Sequence, residues 1–212
     1  MKHYNFILAG GGAAGLSLAY HLSQSALRDQ PILIIDQHVK NHNDHTWCFW
    51  AKDPAPFNSI AYRTWDKLAF YGEDYEAVLD IAPYHYRMVR ALDFYRFTRE
   101  ILSSRPNVDF VLGKVERIAD GDEYAEVLVN ELTFSGDWVF DSRYDAADYR
   151  PLSNRYHYLT QHFLGWEIET QNPTFNPEIP NFFDFRTPQH GAMRFVYVLP
   201  FSEHRALVEY TL

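Results

Sequence analysis

The feature that most constrains the fold is a glycine-rich stretch near the start of the chain, GGGAAG at residues 10–15. An apolar, strand-like run at 3–9 precedes it, a helix-like run at 16–27 follows it, and a second apolar run ends at residue 36. We also considered a membrane span or a signal peptide. The glycines interrupt the apolar run, and no small-residue cleavage site follows it. The stretch therefore predicts a strand, a glycine turn, a helix and a second strand.

The spacing of the glycines predicts a nucleotide-binding turn. Gly10, Gly12 and Gly15 occupy the positions of a G-x-G-x-x-G pattern, in which a phosphate group approaches the backbone at the start of a helix. Asp36 ends the second strand, where a carboxylate can accept hydrogen bonds from a ribose. An ordinary strand-helix turn is the alternative. The residues after Asp36 do not continue an alternating α/β pattern, which favours FAD over NAD.

Composition excludes several classes of function. The 212 residues carry a formal net charge of −9 and contain no cluster of Lys and Arg, so binding to nucleic acid is not expected. Cys48 is the only cysteine, which rules out an internal disulfide and any metal site with several thiolates. Aromatic residues make up 17% of the chain, enough to line a large apolar cavity or simply to fill the core.

Patterning along the chain predicts the domain organisation. The fold class is α/β, with a Rossmann-type FAD-binding domain and a β-rich, mostly antiparallel substrate-domain insertion. We assign 1–58 to the FAD-binding domain and 59–82, with two short strands around Gly72, to the substrate domain. Residues 83–150 return to the FAD-binding domain through a helix at 90–104 and an antiparallel meander at 108–143. Residues 151–212 belong to the substrate domain, and because the chain stops inside a strand we expect a longer parent protein.

Two segments carry side chains that could take part in chemistry. The sequence NHNDHTWCFW at 41–50 could hold a metal, form a polar loop, or line a ligand cavity with His45, Trp47 and Trp50. A metal is the least favoured, because no regular spacing brings the ligands together, so we predict no metal site. Glu209 lies among apolar residues, where desolvation would raise its pKa and suit it to donate a proton. Exposure on an edge strand is the alternative for Glu209.

Several segments together resemble the flavin-dependent lycopene β-cyclases of carotenoid synthesis. They occur in the family's order and cover nearly the whole chain. They are GGGAAGLSLA with LIID, DHTWCFW at 44–50, WVFDSR at 138–143, FLGWEIET at 163–170 and MRFVYVLPFSEHRALVEYTL at 193–212.

The resemblance implies a reaction without net redox change that nevertheless requires reduced FAD, with NAD(P)H as the reductant. A terminal double bond of lycopene is protonated, a neighbouring double bond attacks the cation, and loss of a proton leaves a β-ionone ring. The acidic residue of the family's E-x-T motif corresponds to Glu209. Gly10, Gly12, Gly15 and Asp36 take the FAD roles, and Arg90 is a further candidate for flavin contact.

The resemblance also bears on location and on the extent of the chain. Lycopene partitions into membranes, so we expect a cytoplasmic protein that associates peripherally with a membrane surface. Family members extend beyond residue 212 through a second flavin-contacting segment, and we expect the 212 residues alone to be inactive. The alternatives are another FAD-dependent monooxygenase or isoprenoid reductase of related fold, and an inactive nucleotide-binding fragment.

Overall fold

A computed structural model describes residues 1–144 and 159–212, which divide into two compact units. The first unit contains residues 1–46 and 90–144, and the second contains 47–89 and 159–212. In chain order the described elements are β1 (Lys2–Ala9), α1 (Ala13–Ser23), β2 (Ile32–Asp36), β3 (Thr46–Ala51), β4 (Arg63–Trp65), β5 (Lys67–Tyr71), β6 (Glu76–Asp80), β7 (His85–Arg90), α2 (Ala91–Ser103), β8 (Val108–Leu112), β9 (Val115–Ala119), β10 (Ala125–Val129), β11 (Leu132–Asp141), β12 (Phe163–Glu169), β13 (Asn181–Asp184), β14 (Phe195–Pro200) and β15 (Arg205–Thr211).

The first unit is built on a six-stranded sheet with the order β8-β2-β1-β11-β10-β9. The strands β8, β2, β1 and β11 run parallel, whereas β11, β10 and β9 form antiparallel pairs. The second half of β1 and the first four residues of β2 are continuously apolar and buried, as is typical of parallel strands covered on both faces. Helix α1 joins β1 to β2, and its buried face includes Gly15, Leu16 and Ala19. The carboxyl ends of the parallel strands therefore meet at the glycine turn.

The second unit contains a six-stranded sheet, β12-β15-β14-β13-β5-β6, and a three-stranded sheet, β3-β7-β4. All pairs in the larger sheet are antiparallel except β13 with β5. The core of the second unit contains side chains from both sheets: Trp65, Leu68, Tyr86, Met88 and Leu199. The mixed α/β class predicted from the sequence is confirmed. Among residues 1–144 and 159–212, no helix is both long enough and apolar enough to cross a bilayer.

The structure differs from the sequence predictions in three places. Residues 47–58 and 83–89 belong to the second unit, because β3 and β7 share a sheet with β4, which lies in the predicted substrate segment. The first strand of the predicted meander, β8, instead pairs in parallel with β2. Residues 60–82 contain β4 in addition to the hairpin of β5 and β6 around Gly72. The predicted boundary at residue 150 lies outside the described residues.

Candidate functional site

In the glycine turn of the first unit, the backbone requires glycine at residues 10 and 15, whereas the space next to Gly12 is empty. Gly10 has φ +122°, a conformation that L side chains rarely adopt, and a side chain there would overlap the Ser142 hydroxyl. A side chain at Gly15 would overlap the carbonyl oxygen of Gly10. By contrast, no atom lies within 4 Å of the place that a Cβ on Gly12 would occupy. The fold therefore requires glycine at residues 10 and 15, whereas glycine at residue 12 leaves free space next to the backbone.

Asp36 connects the end of β2 to this turn. Its Oδ2 accepts a hydrogen bond of 2.8 Å from the Gly11 N–H, and its Oδ1 accepts one of 2.7 Å from the His38 N–H. The Lys40 Nζ lies 3.4 Å from Oδ2. Because each carboxylate oxygen has further lone pairs, Asp36 can still accept hydrogen bonds from a ligand hydroxyl. The carboxylate thus fixes the turn and remains a ligand acceptor.

Two cavities meet at Asp36, His38 and Lys40. One has a volume of about 340 Å³, and its apolar walls include Ile34, Tyr95 and Phe110. The other has a volume of about 530 Å³ and is bordered by Gly10, Gly12, Ala13, Ala14, Gly113, Lys114, Asp141, Ser142, Arg143 and Tyr144, among others. An apolar slot beside a carboxylate suits a purine and its ribose, and the glycine turn at a helix N-terminus suits phosphates. These residues fit a dinucleotide such as FAD.

The end of β11 also forms part of this site, although no local pattern in the sequence indicates it. The Ser142 N–H donates to the Ala9 carbonyl oxygen at 2.9 Å, so the segment after β11 lies against the glycine turn. Arg143 donates from Nη2 to Asp141 at 2.8 Å and from Nη1 to the Val115 carbonyl oxygen at 2.9 Å. The segment WVFDSR thus contributes to the larger cavity. Only the pairing of β11 with β1 brings it there.

Arg90 and His45 lie elsewhere in the first unit. Arg90 precedes the first residue of α2, its Nε donates to Asp93 at 2.7 Å, and it is not among the residues lining the two cavities. The His45 side chain is exposed, with Nδ1 3.3 Å from Asp44 Oδ1, and its carbonyl oxygen accepts from the Ala91 N–H at 2.9 Å. The loop that ends at His45 is therefore anchored to the start of α2.

Asp44 and Tyr95 connect the same loop to the side of the apolar cavity. The Tyr95 hydroxyl donates to Asp44 Oδ1 at 3.0 Å, and Tyr95 lines the cavity. Burial opposes ionisation of Asp44, but hydrogen bonds from His45 and Tyr95 outweigh it and lower the pKa of Asp44. Burial and the bond to Asp44 raise the pKa of Tyr95. In residues 1–144 and 159–212, no group of three or more His, Cys, Asp or Glu is arranged to hold a metal ion.

Glu209 belongs to the second unit and is half-buried on β15. Its direct cross-strand partners are Gly165 on β12 and Tyr197 on β14. Burial raises the pKa of Glu209 above its ordinary value, and the nearby Thr211 hydroxyl opposes part of this rise. The carboxyl group therefore keeps its proton to a higher pH than an exposed glutamate does, which suits a proton donor.

Aromatic rings surround this part of the second unit. Trp50 contacts Tyr86 with ring centroids 5.2 Å apart and Phe182 at 5.5 Å, and Tyr86 contacts Phe182 at 5.2 Å. Phe182 in turn lies 5.7 Å from Tyr197, the cross-strand neighbour of Glu209. We call Trp50, Tyr86, Phe182 and Tyr197 the aromatic cluster. Ring faces carry negative charge density, so such a cluster can stabilise a cation near the carboxyl group.

Cys48 and Trp47 lie on the same strand as Trp50. Burial raises the pKa of Cys48 to about 11, and burial also raises the pKa of Tyr86, which hydrogen-bonds to this thiol. Cys48 is therefore a packed side chain that stays a thiol near neutral pH. Side chains alternate along β3, so Trp47 points to the opposite face from Cys48 and Trp50. The structure thus brings Trp50 to the aromatic cluster and directs Trp47 to the other face of β3.

A sequence profile places the chain in a family, and a search of solved structures shows which proteins share its fold. The sequence profile of the family described as "Lycopene cyclase protein" matches residues 5–212. No protein of the curated set matches the chain. Among solved structures, a geranylgeranyl bacteriochlorophyll reductase-like protein from Thermoplasma acidophilum is 15% identical with a TM-score of 0.66. PqsL, a probable FAD-dependent monooxygenase from Pseudomonas aeruginosa, is 13% identical with a TM-score of 0.70, as is the flavin-dependent brominase Bmp2.

These three solved structures contain the fold of the whole chain. Each alignment covers 100% of this chain but only 57%, 61% and 56% of the respective neighbour. At these identities the likeness shows the fold alone. The chain thus spans less than two thirds of the proteins whose fold it shares.

Proposed function

Because the chain belongs to the lycopene cyclase family, we propose that its parent protein is a lycopene β-cyclase that uses reduced FAD. The observation that carries the proposal is the half-buried Glu209 carboxyl beside the aromatic cluster. The reaction needs a proton donor in apolar surroundings and groups that stabilise a carbocation, and this part of the second unit supplies both.

In the proposed mechanism, Glu209 holds the proton that starts the reaction. The carboxyl donates it to a terminal C=C of lycopene, which leaves a carboxylate and a tertiary carbocation. The π electrons of a nearby double bond then form a carbon–carbon bond and close the ring. The Glu209 carboxylate then takes a proton from the cyclic cation, which gives the β-ionone end and restores the acid, so substrate and product have the same mass. Throughout, the rings of Trp50, Tyr86 and Tyr197 stabilise positive charge and exclude water.

We propose that the first unit is a Rossmann-type domain that binds FAD. Gly12 and the N-terminus of α1 would receive the diphosphate, Asp36 a ribose, and the apolar cavity beside Tyr95 the adenine. Bound FAD, reduced by NAD(P)H, would supply electron-rich stabilisation of the cation. The fit rests on the open space at Gly12 and on the two cavities that meet at Asp36. Arg90 stays a proposed flavin contact.

We further propose a peripheral position at a cytoplasmic membrane surface. Lycopene is an apolar polyene that dissolves in lipid, so the enzyme must take it from a bilayer. The chain's net charge of −9 makes a purely electrostatic attraction to anionic lipid unfavourable. We therefore expect apolar contacts to carry the association.

The test is to express the full-length protein in cells that accumulate lycopene and to follow the pigments by chromatography and mass spectrometry. We expect cyclised product of unchanged mass from the wild type, and a fall of about 10² to 10⁴-fold in Glu209→Gln, which cannot donate the proton. The matched control is Glu167→Gln, an exposed carboxylate on β12 that pairs with Arg205. Its product level should equal that of the wild type.

The outcomes separate the alternatives. A product heavier by hydrogen would indicate a reductase of related fold, and flavin-dependent oxygen uptake would indicate a monooxygenase. Lycopene left unchanged by the wild-type protein would remove the proposed cyclase. Full activity of Glu209→Gln would remove only the assignment of the proton donor.

A further inference from the structure

Gly165, in the middle of β12, is a glycine that the fold does not need. Its φ lies outside the left-handed region, so its backbone could carry any side chain. A Cβ at this position would make ordinary contacts of 3.4 Å with Glu209 Oε2 and with Leu207 Cδ1. Glycine in a strand interior weakens the strand, and it often marks a place where a ligand approaches closely. Neither the backbone conformation nor the packing within the second unit therefore explains why residue 165 is glycine.

The surroundings of Glu209 show what this missing side chain leaves open. Four described positions flank Glu209 on its face of the sheet: Tyr197 and Gly165 across the neighbouring strands, and Leu207 and Thr211 two residues away along β15. Tyr197, Leu207 and Thr211 carry side chains. On the side of Tyr197, Phe182 and the rest of the aromatic cluster continue the wall. Among the described residues that flank the Glu209 carboxyl group, Gly165 has no side chain to cover it.

The missing side chain lies directly beside the proton that Glu209 would donate. A Cβ at residue 165 would stand 3.4 Å from Glu209 Oε2, so any side chain there would cover this flank of the carboxyl group. With glycine the flank stays uncovered, and a double bond that rests on the Gly165 backbone can approach Oε2 from it. On the same face of β12, two residues earlier, the ring of Phe163 is 66% exposed and offers an apolar surface next to this space.

We propose that Gly165 positions the substrate: the terminal branched unit of an isoprenoid chain lies over Gly165, against Phe163 and Leu207, and so reaches Oε2 of Glu209. This inference rests on the proposed function and adds to it the flank from which the double bond approaches. Gly165 makes no chemical contribution of its own. It acts by leaving room that any larger residue would fill.

The experiment compares Gly165→Ala and Gly165→Val in the full-length protein, with lycopene presented in vesicles and the flavin reduced. The matched control is Gly72→Ala, in the hairpin of β5 and β6, where an added Cβ would make a similar contact of 3.5 Å with Tyr75. The measurements are kcat and KM for cyclised product, flavin content and thermal unfolding temperature. Together they separate a positioning role from a structural one.

We expect Gly165→Ala to lower kcat/KM by at least about tenfold and Gly165→Val by at least about a hundredfold, because each added carbon displaces the double bond. Flavin content should not change, and the unfolding temperature should stay equal or rise, since alanine and valine favour strands over glycine. Gly72→Ala should turn over lycopene like the wild type.

Three results would overturn the inference. One is wild-type kinetics in both Gly165 variants, which would mean that the substrate approaches from another flank. Another is a fall in unfolding temperature and flavin content that accounts for the lost activity, which would make Gly165 structural. The last is a wild-type protein that forms no cyclised product, which would remove the proposed function and this inference with it.

Discussion

The two units build their candidate sites from different parts of the polypeptide. In the first unit the site consists mainly of backbone: a glycine turn, a helix N-terminus and the N–H groups that Asp36 holds in place. In the second unit it consists of side chains, the Glu209 carboxyl and the rings of the aromatic cluster. A backbone site depends on where side chains are absent, whereas a side-chain site depends on which ones converge. The same kind of substitution should therefore act differently in the two units.

The largest effects are expected in the glycine turn of the first unit, where Gly15 and Gly12 are each replaced by alanine. Gly15→Ala places a methyl group on the Gly10 carbonyl oxygen, so we expect it to lower the free energy of unfolding by about 1–3 kcal/mol and to abolish flavin binding. Gly12→Ala meets no protein atom within 4 Å, so its stability should equal the wild type while flavin affinity falls. Thermal unfolding and flavin titration measure the two effects. Wild-type flavin affinity in Gly12→Ala would contradict the role of the open space.

Asp36→Ala is expected to have the next largest effect. It removes the acceptor of the Gly11 and His38 N–H groups and of a ligand hydroxyl, so flavin affinity should fall by about 10–100-fold. Equilibrium titration with FAD gives the affinity. The control is Asp29→Ala, a carboxylate of the same unit with its side chain 87% exposed, which should bind FAD normally. Equal affinities in the two variants would show that Asp36 is only a structural residue.

In the second unit, Trp50→Leu should slow cyclisation without affecting flavin binding. Loss of one ring face beside Tyr86 and Phe182 is expected to lower kcat by about 3–30-fold. Trp50→Phe keeps an aromatic face and should lose less. Because Trp50 is 46% exposed, neither change should greatly alter the unfolding temperature. If leucine and phenylalanine lowered kcat equally, the aromatic character of the residue would not matter.

The smallest expected effect is a pH dependence of stability that comes from Glu209. Folding raises the pKa of this acid, so the folded state binds the proton more tightly than the unfolded state. The resulting stabilisation is present below the ordinary pKa of 4.5 and is lost as the pH rises towards the raised value. Relative to Glu209→Gln, the wild type should therefore become less stable across that window. Thermal unfolding of both proteins against pH checks the sign, and an opposite trend would contradict the burial of the carboxyl group.

The sequence by itself indicated the glycine turn and Asp36 of the first unit because this information is local, whereas the segment after β11 that borders the same cavity was added by strand pairing. Gly10, Gly12, Gly15 and Asp36 lie within one strand-turn-helix-strand segment, whose spacing already fixes their geometry. For Glu209 the apolar neighbours in the chain suggested desolvation, but exposure on an edge strand stayed open from local sequence alone. The resemblance to a family added its role as the proton donor.

Only the tertiary structure decided what surrounds Glu209 and where the units divide. Tyr86, Phe182 and Tyr197 come from three separate strands, and no periodicity in the sequence says that these strands meet. The register of β12 against β15 sets Gly165 opposite Glu209, and a shift of one residue would place a tryptophan or a leucine there. Strand pairing likewise joined β7 to β4, which the sequence analysis had assigned to different domains. Contacts between residues distant in the chain depend on this pairing, so local pattern could not reveal them.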